Sequence, residues 1–297
     1  MIRVANAPVS WGIMEVEGWS PPLPPQIFLD ELKAAGYDGT ELGPYGYLPT
    51  EPQALGAELK RRSLTLTSAF VPLRLKEPGT DLSEAEQVAK LLQALGAKYL
   101  VLSDALWRER EAVAGRVDEG GVRLTDAEWK TLARNIRAVS EVAAWAGLRC
   151  VFHHHVGTYV ETPAEVERLL DMTDLGLCLD TGHYVYGGGD PVEAVRKFGK
   201  RIEYLHFKDV DPSRLRSANQ ARLSFLDGVR SGVFCELGSG AVRFPELITE
   251  LSRIGYDGWA VVEQDVDASG APARPGAKTP FESARSSREY LRTKLGI

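Results

Sequence analysis

The chain has 297 residues, 44% of them hydrophobic, which is ample for a large core and excludes a disordered polypeptide. Its 35 basic and 41 acidic side chains leave a net charge of -6, so no global basic field favours nucleic acid or an anionic membrane. No run approaches the roughly 18 apolar residues that span a bilayer, and "MIRVANAPVSWG" lacks the form of a secretory signal, so a soluble, cytoplasmic protein is expected.

Taken in chain order, short β-rich runs predict strands at 2–7, 39–42, 64–71, 99–103, 149–154, 175–180, 202–208 and 259–264. Amphipathic stretches lie between them, such as 126–146 with apolar residues three and four apart. "PPLPP" (21–25) reads as a stiff lead into the first helix. Gly36, Gly96, Gly147, Gly176 and Gly255 sit where helices would end before strands, a position that suits a left-handed residue. The tetrapeptide "GYDG" occurs at 36–39 and again at 255–258, each time leading into a strand that carries a glutamate, Glu41 or Glu263. Cys150, Cys178 and Cys235 form no CxxC pair and read as buried reduced thiols.

Strands that alternate with helices pair in parallel through crossovers. An open doubly wound sheet would carry GxGxxG after its first strand, and "ANAPVSWG" does not. The count of eight favours an α/β fold of the (β/α)8 TIM-barrel type, one domain over 1–297. The irregular stretches 107–123 and 211–238 follow strands, which places them on the active-site face; the first reads equally as a solvated loop or a lid. "YGGGDP" lacks the lysine and spacing of a phosphate loop and reads as a turn ending at Asp190, a helix N-cap before Pro191.

In a parallel barrel the chemistry lies at the C-terminal strand ends. All five histidines, His153, His154, His155, His183 and His206, fall at or just beyond such ends. Side-chain alternation puts His153 and His155 on one side and His154, read as structural, on the other; it pairs His206 with Lys208, and Glu263 with Asp265. With Asp180 these residues make a mixed oxygen and nitrogen set, suited to Mn²⁺, Co²⁺, Fe²⁺ or Zn²⁺ rather than Ca²⁺. Lys208 reads either as part of the site or as a structural ion-pair partner. Glu41 and Asn6 are candidates for the same pocket, Asn6 alternatively as a turn-stabilising amide. Trp11 and Tyr45 read as pocket walls or as ordinary packing, and Glu236 is hard to place.

The segments "NAPVSWGI", "ELGPYGYLP", "HHHVGTYVET", "LDTGHYVYGGGDP", "HFKDVD" and "GYDGWAVVEQD" together resemble the xylose-isomerase-like TIM barrels. That superfamily holds sugar isomerases, epimerases and dehydratases together with endonuclease IV, and the nearest resemblance is to the inosose (2-keto-myo-inositol) dehydratases of inositol catabolism. The resemblance implies one divalent ion held by Glu, Asp, His and Glu at the ends of strands five to eight. Asp180, His206 and Glu263 match the last three positions, and His153 stands where the first glutamate is usual. A two-carboxylate proton transfer thereby loses a member. His153 becomes the fourth ligand and His155 a base or substrate contact; a two-residue slip of the match exchanges them.

The activity so implied is a metal-dependent lyase, with Mn²⁺ or Co²⁺ foremost and Zn²⁺, Fe²⁺ or Mg²⁺ as alternatives. It would dehydrate a cyclic keto-polyol through a metal-stabilised enediolate. His155 or His183 would take the α-proton, Glu41 would supply the acid, and Lys208 would place charge near the developing oxyanion. Asn6, Trp11, Tyr45 and Asp265 would contact substrate. Alternatives on the same scaffold are a keto-sugar isomerase or epimerase and a 3-keto-glycoside-cleaving enzyme. A non-catalytic sugar-binding barrel stands as a third class, while DNA repair is opposed by the five histidines and the net charge of -6. Homo-oligomers are common among such barrels, but nothing in the sequence counts subunits.

Overall fold

The computed structural model describes residues 1–16, 19, 23–267 and 278–297. Among the described residues ten strands form: β1 (Arg3–Asn6), β2 (Gly39–Glu41), β3 (Thr65–Leu73), β4 (Tyr99–Asp104), β5 (Arg149–His153), β6 (Gly176–Asp180), β7 (Ile202–Phe207), β8 (Asp209–Val210), β9 (Phe234–Cys235) and β10 (Trp259–Val262). Eight of them close a barrel in the order β1-β10-β7-β6-β5-β4-β3-β2, every pair parallel. The β8–β9 pair is a small antiparallel addition that sequence reading did not foresee.

These strands are buried on both faces, as parallel strands wrapped by helices must be. Ala5, Val101, Val151, Cys178, Tyr204, Trp259 and Val261 pack together inside the barrel. Phe152, Leu177, Leu205, Phe207 and Val262 belong to the larger cluster shared with the surrounding helices. Successive side chains alternate, so the next inward rung beyond Val151, Cys178, Tyr204 and Val261 is His153, Asp180, His206 and Glu263. Strand register staggers that rung: Asp180 lies beside His206, but His153 lies beside Cys178 and His206 beside Val261, the shear that a closed barrel requires.

The helix over Asp126–Trp145 begins with a reciprocal capping box between Thr125 and Glu128, and Pro163–Met172 begins with the same device from Thr162 and Glu165. Pro21 and Pro22 of "PPLPP" lie outside the described residues; Pro25 opens the helix Pro25–Ala34, where its missing N–H costs no helical bond. Both "GYDG" segments make the same helix-ending turn. Gly36 and Gly255 have positive φ, and the amides of Tyr37 and Tyr256 reach back to Leu32 and Leu251. Gly176 departs from expectation: its φ is not left-handed, and it opens β6, where an added Cβ would come within 2.4 Å of Glu203.

The 107–123 stretch is not a solvated loop. It folds into helices Arg108–Glu111 and Val117–Gly120, and buried Arg110 makes two 2.8 Å hydrogen bonds to the carboxylate of Glu165. The stretch after β7 forms helices Pro212–Gln220 and Phe225–Arg230 and one strand of the hairpin. Phe225 and Phe234 from it cluster with Ala114, Val156 and Tyr186, so the excursions after β4, β5, β6 and β7 share one apolar cluster at the rim. Cys150, Cys178 and Cys235 are unpaired. Among the described residues no helix is long and apolar enough to cross a membrane.

Candidate metal centre

Four neighbouring strands, β5, β6, β7 and β10, end with His153, Asp180, His206 and Glu263 aimed at a common point. One ligand-type atom from each lies within 4.8 Å of all the others, and all four residues are buried. Nε2 of His153 is 3.4 Å and Nδ1 of His206 is 3.8 Å from Oδ2 of Asp180; the same Nδ1 is 3.2 Å from Oε2 of Glu263. Asp180 is held from two sides. Its Oδ1 caps the helix Thr181–Tyr186 by accepting the His183 N–H at 2.7 Å, and its own N–H donates to Nε2 of His154 at 3.3 Å. His154 therefore faces away from the other two histidines and has a structural part, as alternation requires.

The donor set fits a divalent transition ion. Nε2 of His206 lies 3.0 Å from Oε1 of Glu41, which keeps a proton on that nitrogen, so that loss of the other proton to an incoming ion would free the Nδ1 lone pair as a ligand. This buried Nδ1 has no hydrogen-bond partner although two carboxylates stand beside it. Three buried acids, Asp180, Glu263 and Asp265, face one ammonium, that of Lys208, and a fourth, Glu41, faces His206. Buried carboxylates in such excess call for a cation. Two imidazoles and two carboxylates with room for substrate suit Mn²⁺, Fe²⁺, Co²⁺ or Zn²⁺.

Electrostatics follow from this crowding. Burial pushes Asp180 and Glu263 toward the neutral acid, yet Lys208 and the surrounding histidines hold Asp180 well below the usual range and Glu263 down at about 2. Burial lowers His206, but Cys178, Glu263 and Glu41 hold it well above an ordinary imidazole. His153, His155 and His183 move the other way, lowered chiefly by burial, with neighbouring cationic groups adding to it. Burial raises Asp265 to about 6 despite Lys208 at 2.5 Å.

Above this floor is a pocket lined in part by His155, Lys208, Asp265, Glu41, Phe70 and Glu15. His155 directs Nδ1 to the carbonyl of Val156 at 2.7 Å. His183 does not line the pocket; it is fully buried, its ring centroid 3.8 Å from that of His155 and its Nε2 3.1 Å from the Lys208 ammonium. Glu41 accepts from Ser68 at 2.7 Å on Oε1, the same oxygen that faces His206, so both ties engage one side of its carboxylate.

Besides His183, three more sequence candidates do not line the pocket. Asn6 is buried next to inward-facing Ala5 and Ala7, and alternation turns it to the helix side, where its Oδ1 accepts the Ala7 N–H at 2.7 Å. Trp11 packs edge-on against Phe28 at 4.9 Å and donates to Glu31. Tyr45 is half-buried against the helix-side core. Glu236 accepts from Ser283 at 3.1 Å, away from the pocket lining. Sequence reading missed Phe70, whose ring meets His153 at 5.4 Å, and Glu15, on the loop after β1. Alternation along β3 could have found Phe70; no periodicity marks Glu15.

The model for the xylose isomerase-like TIM barrel matches residues 29–294. The rhizopine catabolism protein MocC of Rhizobium meliloti is 36% identical over 95% of this chain and 87% of its own length. An inosose dehydratase of Lacticaseibacillus casei is 32% identical over 100% of this chain and 98% of its own. Among solved structures, the IolI protein with a bound zinc atom superposes with a TM-score of 0.72 at 14% identity, covering 98% of this chain and 97% of that one, a likeness of fold. Fold, strand order and a full-length match agree: the chain belongs to the xylose isomerase-like TIM barrel family.

Proposed function

We propose that the chain is a divalent-metal-dependent lyase that removes water from a cyclic keto-polyol of the 2-keto-myo-inositol type. The observation that carries this reading is the convergence of His153, Asp180, His206 and Glu263 beneath a pocket that also presents a neutral imidazole and an ammonium. The full-length likeness to inosose dehydratases supports the substrate class. A bound divalent ion would supply a Lewis acid for the ketone and neighbouring hydroxyl oxygens.

The protein's own groups divide the remaining work. His155, kept neutral by burial and with Nδ1 engaged by Val156, offers Nε2 as the base for the α-proton. Lys208 is held by Asp265 at 2.5 Å and places a fixed positive charge where negative charge develops on substrate oxygen. Glu41 is committed to His206 and Ser68 and is a positioning residue. Glu15 takes the acid's part instead. It lines the pocket from an exposed position on the loop after β1, where the protein packed around its carboxyl and the nearby Glu263 and Glu41 raise it above the usual carboxylate range. A pocket carboxyl raised in this way is placed to give a proton to a departing hydroxyl.

The test is incubation of metal-depleted protein with 2-keto-myo-inositol, with and without Mn²⁺ or Co²⁺, and mass analysis of the product. Metal-dependent loss of one water is the expected result. An unchanged mass with a new NMR spectrum would replace the lyase with an isomerase or epimerase, and no reaction would retire this substrate.

A further inference from the structure

We infer that the Lys208 ammonium fills a second cation position in this centre, so that the chain holds one metal ion because a side chain stands in the place of another. The inference rests on reading His153, Asp180, His206 and Glu263 as the ligands of the first ion. Beside them is a separate set: His155, His183 and Asp265 also bring one ligand-type atom each within 4.8 Å of one another. Two imidazoles and a carboxylate in that compass are a metal-binding set by composition.

A cation already sits among them. Nζ of Lys208 lies 2.5 Å from Oδ1 of Asp265, 3.1 Å from Nε2 of His183 and 3.1 Å from Oε2 of Glu263. These three acceptors match the three N–H donors of an ammonium. Oδ2 of Asp180 is 3.6 Å away, so the same ammonium faces carboxylates of both ligand sets.

The position is built into the fold. The Thr181 hydroxyl lies 2.6 Å from the Lys208 carbonyl and 2.9 Å from its N–H. A Cβ at Gly182 would come within 2.6 Å of Cγ of Lys208, so the glycine of "DTGH" makes room for the lysine stem. The ring of Phe234 covers the ammonium at 5.1 Å. The carboxylates around it keep Lys208 charged more strongly than an ordinary lysine, against the pull of burial.

With the first ion on Asp180 and Glu263, removing the ammonium would strand Asp265 without its nearest positive charge, an arrangement that is strongly unfavourable in a buried site. Two remedies exist. A divalent ion can bind His155, His183 and Asp265, or Asp265 can take a proton. With two imidazoles beside that carboxylate, the metal is the remedy the geometry favours.

The experiment counts metal per chain by plasma mass spectrometry after dialysis of depleted protein against Mn²⁺ at pH 8. Electron paramagnetic resonance then reports coupling between paired Mn²⁺ ions. One equivalent is expected for the wild type, two with a coupled signal for Lys208→Met, and one again for Lys208→Met combined with Asp265→Asn. Lys208→Gln, which keeps a polar donor without the charge, should likewise take two and covers the case in which the methionine variant does not fold. One equivalent in both lysine variants, or two in the wild type, would overturn the inference. A wild type that holds none would instead remove the first site, and with it the reading on which this one rests.

Discussion

His206 has a different neighbour for each ring nitrogen, and the difference decides what Glu41 does. With Nε2 3.0 Å from Glu41, Nδ1 beside Glu263 and Asp180 is the nitrogen that would give up its proton to an ion. Partners of this kind, behind a ligating imidazole, typically change metal affinity by about 10–100-fold when lost. Glu41→Gln should therefore weaken Mn²⁺ binding by roughly that factor in calorimetric titration; unchanged affinity would return Glu41 to the role of a free pocket acid. The histidine triplet permits a sharper comparison. His155→Ala should cut turnover by about 10²–10⁴-fold, the usual scale for a lost general base. His154→Ala leaves the Asp180 N–H without its buried acceptor, and should cost about 1–3 kcal/mol in urea denaturation. A His155 variant with full turnover would move the base elsewhere. Alternation alone separated these two residues. The same logic did not rescue Asn6, because "RVANA" is apolar on both sides and gives no sign of which face turns inward.

At the scale of elements, the barrel strands were legible and the excursions between them were not. Strand boundaries fell within two residues of expectation because glycine turns and apolar runs are local signals. The charged, glycine-rich 107–123 segment looked like a solvated loop because its anchor is remote in sequence: Arg110 finds Glu165, 55 residues on. Glu161 completes the anchor, accepting the N–H groups of Gly115 and Gly157 at 2.7 and 2.8 Å and so tying this excursion to the loop that carries His155. Burial raises Glu161 from 4.5 to about 7, against the pull of Arg110. A carboxyl whose folded pKa lies above its unfolded value stabilises fully below the unfolded value and loses that contribution as pH rises through the folded one. The anchor should thus weaken between about pH 4.5 and 7. Glu161→Gln removes the titration at the cost of one of the two acceptors, a loss that does not change with pH. Thermal melts should show the variant gaining on the wild type across that window, by about 3 kcal/mol in all. A constant difference between the two would show that Glu161 does not titrate there.

For the whole molecule, the ligand set spans four consecutive positions of the closed sheet, β5, β6, β7 and β10, the last of which pairs with β1 to complete the barrel. Folding without a cation gathers buried acids from β2, β6 and β10 at one rim, with Lys208 and the histidines as their compensation. An ion that binds only the folded chain adds RT ln(1 + [L]/Kd), about 2.7 kcal/mol at a hundredfold excess over Kd. A domain of this size gains about 2 °C per kcal/mol, so saturating Mn²⁺ should raise the melting temperature of depleted protein by about 5 °C. The shift should disappear in Asp180→Asn and His153→Ala. It should survive in Glu15→Gln, whose carboxyl belongs to the pocket and not to the ligand set, even as that variant loses dehydration. This contrast separates holding the ion from using it. A wild type whose melting temperature ignores Mn²⁺, Co²⁺ and Zn²⁺ alike would mean that the four residues balance their own charge, and that the centre binds no metal.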